Sequence, residues 1–241
     1  MKGVILAGGT GTRLRPLTSV INKHLLPVGK YPMICYAIRK LKKAGITDIL
    51  LVTGKFSAGL YLEFLGGGAE WGVDLTYRLQ EKAGGIAQAL ALAKGFIRDG
   101  EKFVVLLGDN LFEDELSGYA ESFERQPAGA KVLLKAVDDP RRYGVPYFDE
   151  EGRIAGIEEK PALPKSMYSV TGVYMYDSSV FDIIGSIRPS GRGELEISDV
   201  NNEYARARQL LHDHLQGWWV DAGTFESLQE AARLLSGGDG G

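Results

Sequence analysis

With 241 residues, 44% of them hydrophobic and 24% charged, the chain has the size and composition of one soluble globular domain, large enough to bury a core and support a deep cleft. Its 28 Lys plus Arg against 31 Asp plus Glu leave a net charge of −3, which excludes a broad basic field for a nucleic-acid backbone; any anionic ligand must be held by a few local cations. The single cysteine, Cys35, excludes an intramolecular disulfide, and no apolar run approaches the roughly 20 residues of a membrane span. Val4-Ile5-Leu6-Ala7 is too short for a secretory signal. These features lead to the expectation of a cytoplasmic protein without nucleic-acid or membrane partners.

In chain order, Gly3–Leu6 reads as a strand and Met33–Lys43 as a helix. Met33, Ile34, Ala37, Ile38 and Leu41 form its buried stripe, Cys35 lies in the same apolar pattern, and Gly45 supplies the stop. A strand at Asp48–Thr53, a helix near Ser57–Leu65 and a strand at Asp74–Leu79 follow, then a small-residue helix over Ile86–Phe96. Phe103-Val104-Val105-Leu106-Leu107 has no alternation, so it reads as a strand buried on both faces at the centre of a sheet. Strands are predicted over Lys131–Val137, Val145–Phe148, Arg153–Glu158 and Tyr168–Tyr176, with helices near Ser179–Ile184, Ile197–Ala207 and Phe225–Leu234. The alternation predicts an α/β, doubly wound, mostly parallel sheet with helices on both faces, as one domain over 1–235. Residues 236–241, rich in glycine, are expected to form a flexible tail.

The densest chemical signal is Leu6-Ala7-Gly8-Gly9-Thr10-Gly11-Thr12-Arg13-Leu14, directly after the first strand. Glycines at 8, 9 and 11 let backbone N–H groups approach an anion, and Arg13 adds a planar cationic fork suited to phosphate oxygens. A dinucleotide-binding G-x-G-x-x-G aligned on Gly9 and Gly11 would need glycine where Leu14 stands, and no P-loop motif occurs. Lys23 follows ten residues after Arg13. This combination favours phosphate binding over a purely structural turn.

The run Leu6 to Thr18, with Lys23-His24-Leu25-Leu26-Pro27-Val28 and Pro32-Met33-Ile34, resembles the sugar-1-phosphate nucleotidyltransferase family. The resemblance continues through Gly108-Asp109-Asn110, Arg142-Tyr143-Gly144-Val145, Glu158-Glu159-Lys160-Pro161, Thr171-Gly172-Val173-Tyr174, the run Arg192 to Val200, and Asp221-Ala222-Gly223-Thr224. It spans nearly the whole chain and implies a Rossmann-like nucleotidyltransferase fold. The activity it implies is Mg²⁺-dependent transfer of a nucleotidyl group from dTTP, with UTP as the alternative, to glucose 1-phosphate, releasing pyrophosphate. On this resemblance Arg13, Lys23, Lys160 and Asp109 carry the catalysis, and Leu6, Gly8, Gly9, Gly11, Thr12, Arg13, Gln80, Gly85 and Asp109 bind the nucleotide. Asn110, Gly144, Glu159, Lys160, Thr171, Arg192 and Trp219 bind the sugar phosphate. Asp109 and Asp221 hold the metal.

The residue types and positions are compatible with these roles, although a lone aspartate after a strand is by itself more often a cap or turn residue, and the metal assignment is what the resemblance implies. Asp109 follows the buried strand and should emerge at its carboxyl end, where open α/β sheets bind ligands. Asp221 follows Trp218-Trp219-Val220, and two carboxylates can coordinate Mg²⁺ through oxygen. An amide such as Gln80 can both donate to and accept from a pyrimidine edge. The family often has proline after this glutamine, whereas this chain reads Glu81-Lys82-Ala83-Gly84, so base contacts follow less directly than phosphate contacts. His24 borders the phosphate-binding stretch, and His212 and His214 alternate on a late strand without the third ligand of a zinc site.

Two other readings compete. A catalytically silent sugar-nucleotide sensor should have lost a phosphate cation or metal carboxylate, and this chain keeps Arg13, Lys23, Asp109, Lys160 and Asp221. A glycosyltransferase would carry Asp-x-Asp, which Gly108-Asp109-Asn110 does not match. Longer family members carry extra C-terminal helices associated with subunit contacts and end-product feedback; this sequence stops soon after Leu235, and a homo-oligomer is expected.

Overall fold

The computed structural model describes residues 1–237. Strand β1 (Lys2–Ala7) leads, through three 3-10 turns, into a hairpin of β2 (Pro27–Val28) and β3 (Tyr31–Pro32), where Gly29 takes φ +62°. Then come α1 (Met33–Lys43), β4 (Asp48–Gly54), α2 (Ala58–Leu65), β5 (Asp74–Gln80), α3 (Ile86–Ala91) and β6 (Lys102–Leu107). A short strand β7 (Asn110–Phe112) precedes α4 (Ser117–Arg125), β8 (Ala130–Ala136), β9 (Gly144–Phe148), β10 (Ile154–Glu159) and β11 (Tyr168–Asp177). The chain continues through α5 (Val180–Ser186), α6 (Ile197–Arg206), β12 (Leu210–His214), β13 (Trp219–Asp221) and α7 (Phe225–Gly237).

Nine strands form one mixed sheet. Its first half, β5-β4-β1-β6, is parallel throughout. β11 joins antiparallel to β6 and carries β8 on its other edge; β12 then pairs parallel to β8. The β9–β10 hairpin attaches to the start of β11. β6 is therefore central, between β1 and β11, as its unbroken apolar run predicts. One face of the sheet packs Val4, Leu6, Leu50 and Val52 against α3, α5 and α6. The opposite face packs Ile5, Ala7, Ile49 and Leu51 against α1, α2 and α4. Cys35 is buried in that second core, and burial pushes its thiol up to about 12, so it behaves as a small hydrophobe. The predicted doubly wound architecture is thus realised. Among the described residues, no helix is long and apolar enough to cross a membrane.

Local chemistry sets most boundaries. α1 spans the predicted residues and ends where Gly45 takes φ +75°, its N–H donating to the Lys42 carbonyl while Ile46 N–H reaches back to Leu41. α3 is shorter than predicted. After Ala91 the chain tightens into i−3 hydrogen bonds from Ala93 and Lys94, and Gly95 turns to φ +88°. α4 is an additional helix beyond the predicted set, with Leu116, Ala120 and Phe123 on its buried side. Ser236 and Gly237, expected from composition to be tail, extend α7, and the Ser236 hydroxyl donates to the Ala232 carbonyl. Residues 238–241 of the expected tail lie outside the described residues.

Candidate active site

The carboxyl ends of β1, β5 and β6 meet at one edge of the sheet. There two adjoining cavities of about 250 and 370 Å³ share Lys23, Asp109, Glu159 and Lys160 on their walls. The first is closed by Leu6, Gly8, Gly9, Gln80 and Gly85; the second by Arg13, Asn110, Gly144, Trp219 and Asp221. Arg192 borders the first. Residues up to 215 positions apart in sequence, from Leu6 to Asp221, thus line one continuous cleft.

The glycine loop is shaped by what surrounds it. A Cβ on Gly8 would stand 2.0 Å from the Gln80 Oε1, so only glycine lets the Gln80 amide close this end of the cleft. Gln80 is itself held, its Nε2 donating to Gln88 Oε1 (2.6 Å) and to the Gly85 carbonyl (3.3 Å). Gly11 takes φ +63° and presses against Lys23 and Thr18, accepting the Thr18 hydroxyl at its carbonyl (2.7 Å). Gly11 and Thr12 do not line the cleft; they shape the turn that delivers Arg13 and support Lys23 from behind.

Lys23 and Asp109 form a short ion pair at the centre of the cleft. Burial tends to raise the Asp109 carboxyl, but the Lys23 ammonium, His24, and hydrogen bonds from Lys23 and Asn110 outweigh it and hold Asp109 below the usual carboxylate range. Asp221 is delivered by a two-stranded ribbon in which β13 pairs antiparallel with β7, setting Asp221 opposite Asn110, and Ala222 N–H donates to the Asp109 carbonyl (2.9 Å). Burial, then the neighbouring Asp109 charge, pushes Asp221 up to about 6. Its Oδ1 is buried with no hydrogen-bond partner. Arg13 stands beside it, since a Cβ on the intervening Gly223 would lie 2.8 Å from the Arg13 Nη2 and 3.0 Å from the Asp221 Oδ1.

The second cavity is built from fixed polar groups. Asn110 Oδ1 accepts from Gly172 N–H (2.8 Å) and Trp219 Nε1 (2.8 Å), while its Nδ2 donates to Asp109 Oδ1 (3.1 Å). Asn110 therefore orients Asp109 and Trp219 as well as lining the wall, and Gly172 must be glycine because a Cβ would lie 2.5 Å from the Asn110 Cγ. Glu159 accepts the Ser198 hydroxyl at Oε2 (2.6 Å), with the Lys160 Nζ 3.4 Å and the Arg192 Nη2 3.6 Å from its Oε1. Lys160 has φ +47°, a left-handed conformation that costs a side-chain-bearing residue about 1–3 kcal/mol and is held by its N–H bond to the Tyr143 carbonyl (2.9 Å).

One expected contact is corrected. The Thr171 side chain is fully buried and donates its hydroxyl to the Leu133 carbonyl (2.8 Å), away from the cleft. Side chains alternate along a strand, so Val170, Gly172 and Tyr174 of β11 line the cavity instead. Arg142 also lines it, a cation to which the sequence motifs give no role although it stands in the Arg142-Tyr143-Gly144 block. His24 borders the first cavity but is a core residue, its Nδ1 bonded to Asn22 Oδ1 (2.8 Å). Burial, then Lys23, lowers it to about 3, so it is neutral at physiological pH. His212 and His214 pack edge to face beside Phe148 and Tyr168, far along the sheet on β12.

Comparison with known proteins agrees with this architecture. The nucleotidyl transferase family model matches residues 2–237. The glucose-1-phosphate thymidylyltransferase of Xanthomonas campestris pv. campestris (strain B100) is 44% identical over 239 residues, covering 97% of this chain and 80% of that protein. That of Actinoplanes sp. is 41% identical over 244 residues, covering 100% and 80%. A 2.76 Å crystal structure from Bacillus anthracis, assigned as a glucose-1-phosphate thymidylyltransferase and complexed with sucrose, is 56% identical and superposes with a TM-score of 0.93 over 97% of this chain and 94% of that one. A UDP-glucose pyrophosphorylase at 24% identity, with a TM-score of 0.87, shares the fold. A family match over residues 2–237, with relatives above 40% identity across nearly the whole chain, establishes that this chain belongs to the nucleotidyl transferase family.

Proposed function

We propose that the chain is a glucose-1-phosphate thymidylyltransferase, transferring the thymidylyl group of dTTP to glucose 1-phosphate. The observation that carries this reading is the convergence of Lys23, Lys160, Arg13 and Arg192 on one cleft that also contains Asp109 and Asp221. Two polyanions repel each other, so bringing them into contact is the physical difficulty, and fixed cations in a partly dehydrated cleft offset it. Gly8, Gly9, Gln80 and Gly85 take the nucleotide, with Arg13 and Lys23 on its phosphates. Lys160 and Arg192 hold the sugar phosphate, and Glu159 accepts from sugar hydroxyls, where a carboxylate can bind two neighbouring donors.

A nonbridging oxygen of the phosphate monoester attacks the α-phosphorus in line. The bond from that phosphorus to the bridging oxygen opposite breaks, and pyrophosphate departs with the bonding pair. The monoester is already anionic at neutral pH, so no general base is required. Asp109 and Asp221 are suited to hold Mg²⁺, because the buried, unpartnered Oδ1 of Asp221 beside the ionised Asp109 is an oxygen pair suited to a hard divalent cation. When bound, the ion supplies positive charge at phosphate oxygens. Lys23, beside Asp109 on the wall of both cavities, supplies a further positive charge for the triphosphate.

The reading extends to a cytoplasmic setting and to a homo-oligomer, which light scattering would test. The activity itself is tested by measuring pyrophosphate release while crossing dTTP, UTP, CTP, ATP and GTP with several hexose 1-phosphates. Highest kcat/KM with dTTP and glucose 1-phosphate is expected. One methyl group distinguishes thymine from uracil and is worth about 1–3 kcal/mol, so UTP should be a slower substrate rather than an excluded one. Absence of pyrophosphate release from every pairing would remove the assignment.

A further inference from the structure

Arg192 does not stand alone at the sugar-phosphate end of the cleft. Its Nε donates to Glu196 Oε1 (3.2 Å), and its Nη2 lies 2.9 Å from both Oε1 and Oε2 of the same carboxylate. Glu196 is buried and fixed in turn by the Ser190 hydroxyl, which donates to Oε1 (2.7 Å). It occupies the position just before α6, yet its side chain makes no capping hydrogen bond to that helix. The carboxylate is therefore committed to the guanidinium rather than to helix stability.

Two further carboxylates compete for the same cation. Glu159, on the sugar side, and Glu194 each lie 3.6 Å from Arg192 Nη2. Hydrogen bonding decides between them, because a bidentate carboxylate–guanidinium contact fixes geometry as well as charge. Arg192 itself rides on a short turn, in which Ser190 N–H donates to the Glu194 carbonyl (2.8 Å) and Gly193 takes φ +75°. Such a turn does not by itself aim a long side chain.

We propose that Glu196 is a positioning residue that holds the Arg192 guanidinium at the acceptor end of the cleft and keeps it from collapsing onto Glu159. The inference rests on the transferase reading above. Glu196 occupies Nε and Nη2 and leaves the two N–H groups of Nη1 for an incoming phosphate. Glu159 thereby keeps oxygen lone pairs for sugar hydroxyls. Without Glu196, the cation for the phosphate and the carboxylate for the sugar would neutralise each other.

The test compares wild type, Glu196→Gln, Arg192→Ala and the double variant. Calorimetric titration with glucose 1-phosphate in the absence of dTTP reads affinity without turnover, and initial rates give KM for each substrate. Glu196→Gln should weaken glucose 1-phosphate binding and raise its KM about 10- to 100-fold, with KM for dTTP and the melting temperature nearly unchanged. In the Arg192→Ala background the same change should add less than about 2-fold, because the residue acts through Arg192. An unchanged affinity in Glu196→Gln, or an equal penalty with Arg192 already removed, would overturn the proposal. Wild type that binds glucose 1-phosphate but releases no pyrophosphate from any triphosphate would sink the transferase reading, while the titrations still decide the role of Glu196.

Discussion

Asp221→Asn separates stability from function in a single substitution. In the folded chain burial and the Asp109 charge raise the Asp221 carboxyl from 3.8 to about 6. A folded-state value above the unfolded one means that the protonated carboxyl favours the fold. That contribution is fully present below pH 3.8 and is lost as pH rises through about 6, so above that the fold carries an ionised carboxylate it disfavours. The difference corresponds to at most about 3 kcal/mol at pH 8. An asparagine has the same shape without the charge, so in EDTA at pH 8 the variant should melt several degrees above wild type, at about 2–4 °C per kcal/mol for a chain of this size. The gain should shrink toward zero as the pH falls to 4. Mg²⁺ should raise the melting temperature of wild type more than that of the variant, since a ligand that binds only the folded state stabilises it by mass action. Pyrophosphate release should fall by at least about 100-fold. Differential scanning fluorimetry across pH 4–8 with and without Mg²⁺ supplies the data. A variant less stable than wild type at pH 8 would show that Asp221 is a favourable structural charge, and the reasoning would fail.

Other substitutions read other parts of the cleft. Asp109→Ala should nearly abolish pyrophosphate release while circular dichroism remains that of the native fold; full activity would remove Asp109 from the mechanism. Lys160→Ala should chiefly raise KM for glucose 1-phosphate, with KM for dTTP little altered, and an unaltered dependence on the sugar phosphate would refute its assignment. Gly8→Ala puts a Cβ 2.0 Å from the Gln80 Oε1 and drives that amide out of its place in the cleft wall, so KM for dTTP should rise by more than about 10-fold. Thr171→Val should leave KM for glucose 1-phosphate unchanged and lower stability by about 1 kcal/mol, the worth of its bond to the Leu133 carbonyl. A large KM effect from that change would return Thr171 to the sugar site.

Local order was legible from residue patterns alone. The stripe Met33, Ile34, Ala37, Ile38 and Leu41 with Gly45 beyond it defines α1 to the residue, because helix period and C-terminal stop are short-range properties. The unbroken apolar run at 103–107 announces a central strand for the same kind of reason. The glycines at 8, 9 and 11 mark a tight turn after β1 within a single stretch of chain, and Arg13 at its end lines the cleft.

What required the tertiary structure is everything that depends on two distant segments meeting. Asp109 and Asp221 come together because β7 and β13 pair as a ribbon, and two three-residue strands carry too little periodicity to be seen in advance. The partners of Asn110, drawn from Gly172 and Trp219, and the approach of Glu159 to Arg192, which the local Arg192–Glu196 pair resists, are likewise contacts between distant segments. Thr171 marks the boundary between the two kinds of knowledge. Its motif sits correctly at the cleft, but strand alternation gives each residue one of two faces, and only packing of β11 against β6 and β8 decides which face is wet. The shift of Asp221 belongs to the same class, since dehydration and a neighbouring charge are properties of the folded cleft and not of the residue.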